Sequence, residues 1–191
     1  MGLDVHISTN QRDKVFTPDY YDSQHDYFNK HSLSRTFCNL MCRQHVVSGE
    51  PELDQVGRIA GVDISPLYAM ETYVHGEELN FFLETAETEE ERQQLLDNAQ
   101  KSGENLKGNI DEVLTTINLL IERLSAIHNL PKLIQSHGYD TLDNDKYFAD
   151  FELDKGDGYI GNNFGQDLRN FRRFLEYAKD KGVDTVYFEY G

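Results

Sequence analysis

The chain has 191 residues and a formal net charge of -16, from 34 acidic and 18 basic residues. A chain of this length buries roughly 70% of its unfolded surface, and 38% hydrophobic residues, with eleven Tyr and eleven Phe, exclude a disordered tail. No apolar run approaches the roughly 20 residues of a membrane span, and so negative a field argues against direct nucleic-acid binding, which depends on Lys and Arg at phosphates.

The opening Met1-Gly2-Leu3-Asp4-Val5-His6 carries no basic or hydrophobic region of signal-peptide type, so the expected location is the cytoplasm. Leu3, Val5 and Ile7 alternate with Asp4, His6 and Ser8, the period-2 pattern of a half-buried strand. The Tyr-, Asp- and His-rich stretch from Asp19 to His31 has no clean periodicity and reads as a functional or irregular loop. From Ser32 to about Val46, Leu33, Phe37, Leu40 and Met41 share a helical face, with Ser32 or Ser34 as cap. Cys38 and Cys42 lie four apart on that helix and read as free thiols.

Leu53, Val56, Ile59 and Ala60 predict a short helix closed by Gly61, and Met70 to Val74 reads as a strand. A helix over 77–85 follows, then a capping-box spacing at Thr88 and Glu91 ahead of a polar helix to about Ser102, with Gly103 in a loop. Asn109 and Glu112 repeat that spacing before a broad apolar stripe from Ile110 to Ile127, a core helix ended by Pro131. Tyr147, Ala149, Phe151 and Leu153 alternate like a strand, Lys155 to Gly158 a turn, and Tyr159 to Gly161 a second strand. An amphipathic helix from about Gly165 to Lys181 and a strand over Val183 to Tyr190 close the chain. No linker-like composition interrupts the sequence, so residues 1–191 read as one α+β domain. Several amphipathic helices are expected on a small, mainly antiparallel sheet that includes both chain ends.

The opening Met1-Gly2-Leu3-Asp4, the segment Gly158-Tyr159-Ile160-Gly161, the helix at Asp167-Leu168 and the ending Tyr187-Phe188-Glu189-Tyr190 resemble a diffuse group of uncharacterised bacterial and phage proteins. The resemblance covers about a quarter of the chain and implies no activity or residue role.

Three constellations could carry chemistry. Asp4, His6, His25, His31 and His45, with Asp19, Asp22 and Asp26 nearby, supply imidazoles and carboxylates suited to a divalent transition metal. Their spacings match no ligand signature, so a metal is the less favoured reading. Cys38, Cys42 and His45 share a helix edge, but buried thiols account for them better than zinc. The glycine-rich run from Gly156 to Gly165 precedes a helix with Arg169, Arg172 and Arg173, yet matches no phosphate-binding fingerprint and reads as a turn with a helix cap.

The charge is uneven: residues 50–112 carry 16 acidic and 4 basic groups. The favoured function is therefore an acidic intracellular interaction protein, an inhibitor, immunity-like or regulatory factor, that docks a basic protein. Glu77, Glu78, Glu84, Glu87, Glu89, Glu90 and Glu91 are the expected contact residues. The alternative is a small metal-dependent enzyme built on the N-terminal Asp/His cluster.

Overall fold

In the computed structural model, which describes residues 4–71, 73–135, 142–153 and 162–191, the first and last strands pair with each other. β1 (Val5–Thr9) and β2 (Val186–Tyr190) run antiparallel, with Val5 opposite Tyr190, Ile7 opposite Phe188 and Thr9 opposite Val186. Directly opposed residues point to the same face. Val5, Ile7, Val186 and Phe188 therefore enter the core together, while His6 and Glu189 share the outer face. The α+β class with both chain ends in the sheet follows from these two strands and the helices between them.

After β1 come α1 (Arg12–Val15), a 3-10 turn at Pro18–Tyr21 and α2 (Tyr27–His31), where the sequence suggested a functional or irregular loop. Rings from Tyr20, Tyr27 and His31 meet Tyr177 there, so tertiary aromatic packing organises a stretch that lacks periodicity of its own.

α3 (Arg35–Cys42) starts at Ser34, whose Oγ accepts from the Phe37 amide at 3.2 Å, and runs into a 3-10 turn at Arg43–His45. α4 (Glu52–Ala60) ends at Gly61 as expected. Its Glu52 carboxylate is fully buried and receives two bonds from buried Arg43, at 3.0 and 3.1 Å, which tie the end of α3 to the start of α4.

Among the described residues, the strand expected over Met70 to Val74 does not form. α5 (Ser65–Glu71) occupies its first part instead, started by Asp63 Oδ1 accepting from the Ser65 amide at 2.9 Å, and it buries Leu67 and Met70 one turn apart. α6 (Gly76–Thr85) and α7 (Glu89–Leu106) form a hairpin, with the Thr88/Glu91 capping box in place. α7 runs straight through Gly103, which the sequence assigned to a loop. A Cβ there would lie 3.1 Å from the Tyr73 ring, so the glycine marks a close approach and not a break.

α8 (Ile110–Ser125) buries Ile110, Val113, Ile117, Leu120 and Leu124 as its stripe requires, and ends before Pro131, which lies in a 3-10 turn at Leu130–Leu133. Asn109 does not form the expected capping box. Its amide donates to the Val186 carbonyl and accepts from the Val186 N–H, both at 2.9 Å, extending the hydrogen bonding of β2.

No strand forms over Tyr147 to Leu153. α9 (Asn144–Tyr147) is followed by a bend with Asp150 at φ 52°. Tyr147 and Phe148 are both buried, so the segment does not keep the in-and-out alternation of a half-buried strand. The turn at Lys155 to Gly158 and the strand at Tyr159 to Gly161 lie outside the described residues.

α10 (Phe164–Asp180) packs on α8, with Leu168, Phe171, Phe174, Leu175 and Ala178 all buried. Its Gly165 lies against the Phe151 backbone: a Cβ there would stand 2.0 Å from the Phe151 carbonyl oxygen.

Candidate functional site

The five N-terminal metal candidates are dispersed by the fold. Asp4 accepts from Arg35 Nε at 3.2 Å, His6 is exposed on the outer sheet face, and His25 stacks on Tyr27 with ring centroids 5.2 Å apart. His31 is buried among Tyr20, Tyr27, Phe174 and Tyr177. Burial, assisted by the charges of Arg173 and Lys30, pushes its imidazole down to about 4, and among the described residues its buried Nδ1 has no hydrogen-bond partner. His45, in the 3-10 turn after α3, has its Nε2 3.2 Å from Glu71 Oε1. Among the described residues, no group of three His, Cys, Asp or Glu side chains is placed to hold a metal ion. Of the set, His6 and His31 border a common cavity.

Cys38 is buried and Cys42 partly exposed, and their thiols are hydrogen-bonded to each other. His45 is engaged by Glu71, whose carboxyl also accepts from Gln44 and is pushed up by burial. The glycine-rich run is described only from Asn162 onward, and there the cap is present: Asn163 Oδ1 accepts from the Gln166 amide at 2.7 Å. Arg169 donates to the Phe151 carbonyl at 2.7 Å and pairs with Glu152 at 3.3 Å, so this cation serves its own loop.

The acidic middle is concentrated in the α6/α7 hairpin. Residues 76–106 hold nine acidic and two basic residues. The hairpin is attached at its base, where Tyr73 packs against Gly103 and Tyr187, and where Leu106 is the one buried residue of α7. Toward the tip, none of the described side chains of α6 is buried. Phe81 is 61% exposed, Phe82 38% and Leu96 43%. Between the helices lies an apolar groove of about 180 Å³, lined by Leu79, Phe82, Leu95 and Ala99 with Val74 at its end.

Glu84, Glu87, Glu89, Glu90 and Glu91 are all exposed; the side chains of Glu77 and Glu78 lie outside the described set. Among the described residues, the ion pair of the hairpin is Arg92 with Glu89, at 3.8 Å. Glu91 closes the capping box, accepting from the Glu87 and Thr88 amides at 2.8 and 3.3 Å. Three carboxylates in the first turn also complement the positive end of α7. The apolar residues of this surface escaped the sequence reading, although Phe81 and Phe82 side by side in a short acidic helix were the available signal.

No helix among the described residues is long and apolar enough to cross a membrane. Comparison with known proteins gives no match: no family model fits the sequence, and no curated protein or solved structure matches it.

Proposed function

We propose that the chain is an acidic interaction protein whose α6/α7 hairpin receives a basic amphipathic helix of a partner protein. The observation that carries this reading is the pairing of exposed Phe81, Phe82 and Leu96 with a rim of carboxylates that have few cations of their own. An apolar patch rimmed by charge gives affinity through the patch and orientation through the rim. A partner helix with Leu or Ile at i, i+3, i+4 and i+7 and Lys or Arg on its flanks matches both features. A helix with an acidic flank is repelled, which supplies specificity. The hairpin can serve such a role because so little of it is committed to the core.

The test uses a synthetic amphipathic Leu/Lys helix and a scrambled peptide of the same composition, titrated by calorimetry against the full chain. The expected result is tighter binding of the amphipathic peptide, weakened about tenfold by Phe82→Ala and by raising salt from 50 to about 200 mM. Equal binding of the scrambled peptide, absence of binding, or indifference to Phe82→Ala and Glu84→Lys overturns the reading.

A further inference from the structure

A second feature is independent of the hairpin and lies where α3 runs into its following turn. Cys38 and Cys42 are four residues apart in α3, and Cys42 is the last residue of that helix before the 3-10 turn at Arg43–His45. Four residues of α-helix advance about 6 Å with little net rotation, so the two Cα atoms fall inside the roughly 4.4–6.8 Å that a disulfide spans. The side chains share one helix face, and their thiols are hydrogen-bonded to each other. Access to the two is unequal: Cys38 is fully buried in the core, whereas Cys42 is partly exposed.

The surroundings make the accessible sulfur the nucleophilic one. The bond from Cys38 holds the Cys42 thiol down to about 7, against burial and the Glu71 charge and with help from His45. That same bond, together with burial, pushes Cys38 up, so the buried partner keeps its proton. An exposed thiolate poised beside a second thiol is the arrangement found where cysteine oxidation is reversible.

We propose that Cys42 and Cys38 are a peroxide-oxidised dithiol, in which Cys42 reacts first and Cys38 closes an intramolecular disulfide. The Cys42 thiolate attacks one oxygen of hydrogen peroxide, the O–O bond breaks, and the other oxygen leaves as hydroxide, giving a sulfenic acid. The Cys38 sulfur then attacks the Cys42 sulfur. The S–O bond breaks, and the departing hydroxide takes up the Cys38 proton as water. Together the two thiols lose two electrons and two protons, and peroxide becomes two molecules of water. Charge favours this small neutral oxidant, because the Glu71 carboxylate and the net charge of -16 repel an anionic disulfide such as oxidised glutathione. Closure draws the Cβ atoms from a helical spacing of about 5–6 Å to about 3.5–4.5 Å. The movement falls on the terminal residue of α3 and not on its middle, and a bond closed against the helix is readily reduced.

The test treats the full chain with hydrogen peroxide, counts the remaining thiols by alkylation after denaturation, and locates the bond by peptide mapping. Both thiols should be lost together, leaving the chain two hydrogens lighter, not cross-linked to a second chain, and fully restored by dithiothreitol. Cys38→Ala should stop at a sulfenic acid on Cys42 that dimedone traps, and Cys42→Ser should leave Cys38 unoxidised over the time in which the parent reacts completely. A further measurement needs neither variant to fold: dimedone present from the start should mark Cys42 alone in the folded parent and both cysteines in urea. The proposal is overturned if Cys42 proceeds to sulfinic acid while Cys38 stays a thiol, if the disulfide joins two chains, or if neither cysteine reacts. It is equally overturned if dimedone marks Cys38 first, if the preference for Cys42 persists in urea, or if oxidised glutathione modifies Cys42 as fast as peroxide closes the disulfide.

Discussion

Ser34 and Asp167, 133 positions apart in sequence, are joined by two buried hydrogen bonds: the Ser34 amide to Oδ1 at 2.8 Å and its hydroxyl to Oδ2 at 2.6 Å. Tyr147 adds a third at 2.8 Å, so one carboxylate fixes the start of α3, the end of α9 and the first turn of α10. Removing it strands three buried donors. Asp167→Ala should cost about 3–5 kcal/mol in urea unfolding at pH 7, and Tyr147→Phe, which removes one donor along with its bond, about 1 kcal/mol. Similar losses for the two variants would show that the carboxylate is not the shared anchor.

The same carboxyl gives a pH signature that His31 opposes. Burial raises Asp167 from 3.8 to about 6, while the Ser34 and Tyr147 bonds pull the other way. Its favourable contribution is therefore full below about pH 4 and lost as pH rises through 6. His31 is depressed from 6.5 to about 4, so its contribution is present above 6.5 and lost as pH falls through 4. Each is worth about 3 kcal/mol at about 1.4 kcal/mol per pH unit, and the two largely cancel between pH 4 and 6. Relative to the parent, Asp167→Asn should lose stability on acidification from pH 7 to 4, and His31→Phe should gain it. Denaturant midpoints at four pH values decide the matter, and shifts of the same sign in both variants would contradict it.

What the sequence revealed and what it hid divide along a physical line. β1, α4, α8, α10 and β2 each carry their apolar residues at a regular local spacing, and such spacing is readable because its period is local. The Tyr147 to Leu153 segment has the alternation of a strand, but long-range demands override it: Tyr147 reaches Asp167 and Asn163 Nδ2 donates to the Asp150 carbonyl at 2.7 Å. Asn109 carried the spacing of a capping box, yet its side chain finds a stronger use on the Val186 backbone. At the acidic surface, the charge count located the hairpin, whereas exposure of Phe81 and Phe82 depends on how little of α6 the body covers. His31 looked like a loop imidazole among carboxylates because nothing local announces the Tyr177 and Phe174 rings that bury it.

Gly165 shows how tightly the hidden segment is held. With the Phe151 carbonyl 2.0 Å from the place of a Cβ, Gly165→Ala must displace backbone, and Arg169 Nη1 at 2.9 Å closes the other side. Destabilisation of about 3 kcal/mol, the upper part of the range for overpacking, is expected from thermal or denaturant unfolding. Gly76→Ala is the control: the new methyl meets nothing within 4 Å, so its cost is confined to the φ of 58° and should be about 1 kcal/mol. An equal effect at both positions would mean that the α10 approach to Phe151 is looser than its geometry states.

Cys42 should be the reactive thiol of the chain. The hydrogen bond from Cys38 holds its thiol down to about 7, with help from His45 and against burial and the Glu71 charge, whereas that same bond and burial push Cys38 up. A thiolate is the nucleophile, so a partly exposed cysteine in this range is substantially reactive at neutral pH. Iodoacetamide should therefore alkylate Cys42 first, with a rate midpoint near pH 7, while buried Cys38 remains protected until unfolding. Cys38→Ala removes the donor without opening the site to a new charge, and should move the midpoint toward the ordinary 9.0. His45→Gln should move it in the same direction by less, since His45 assists less than the thiol bond does. Peptide mapping against pH separates these cases: equal labelling of both cysteines, or a midpoint unmoved by Cys38→Ala, would show that the paired thiols do not set the reactivity.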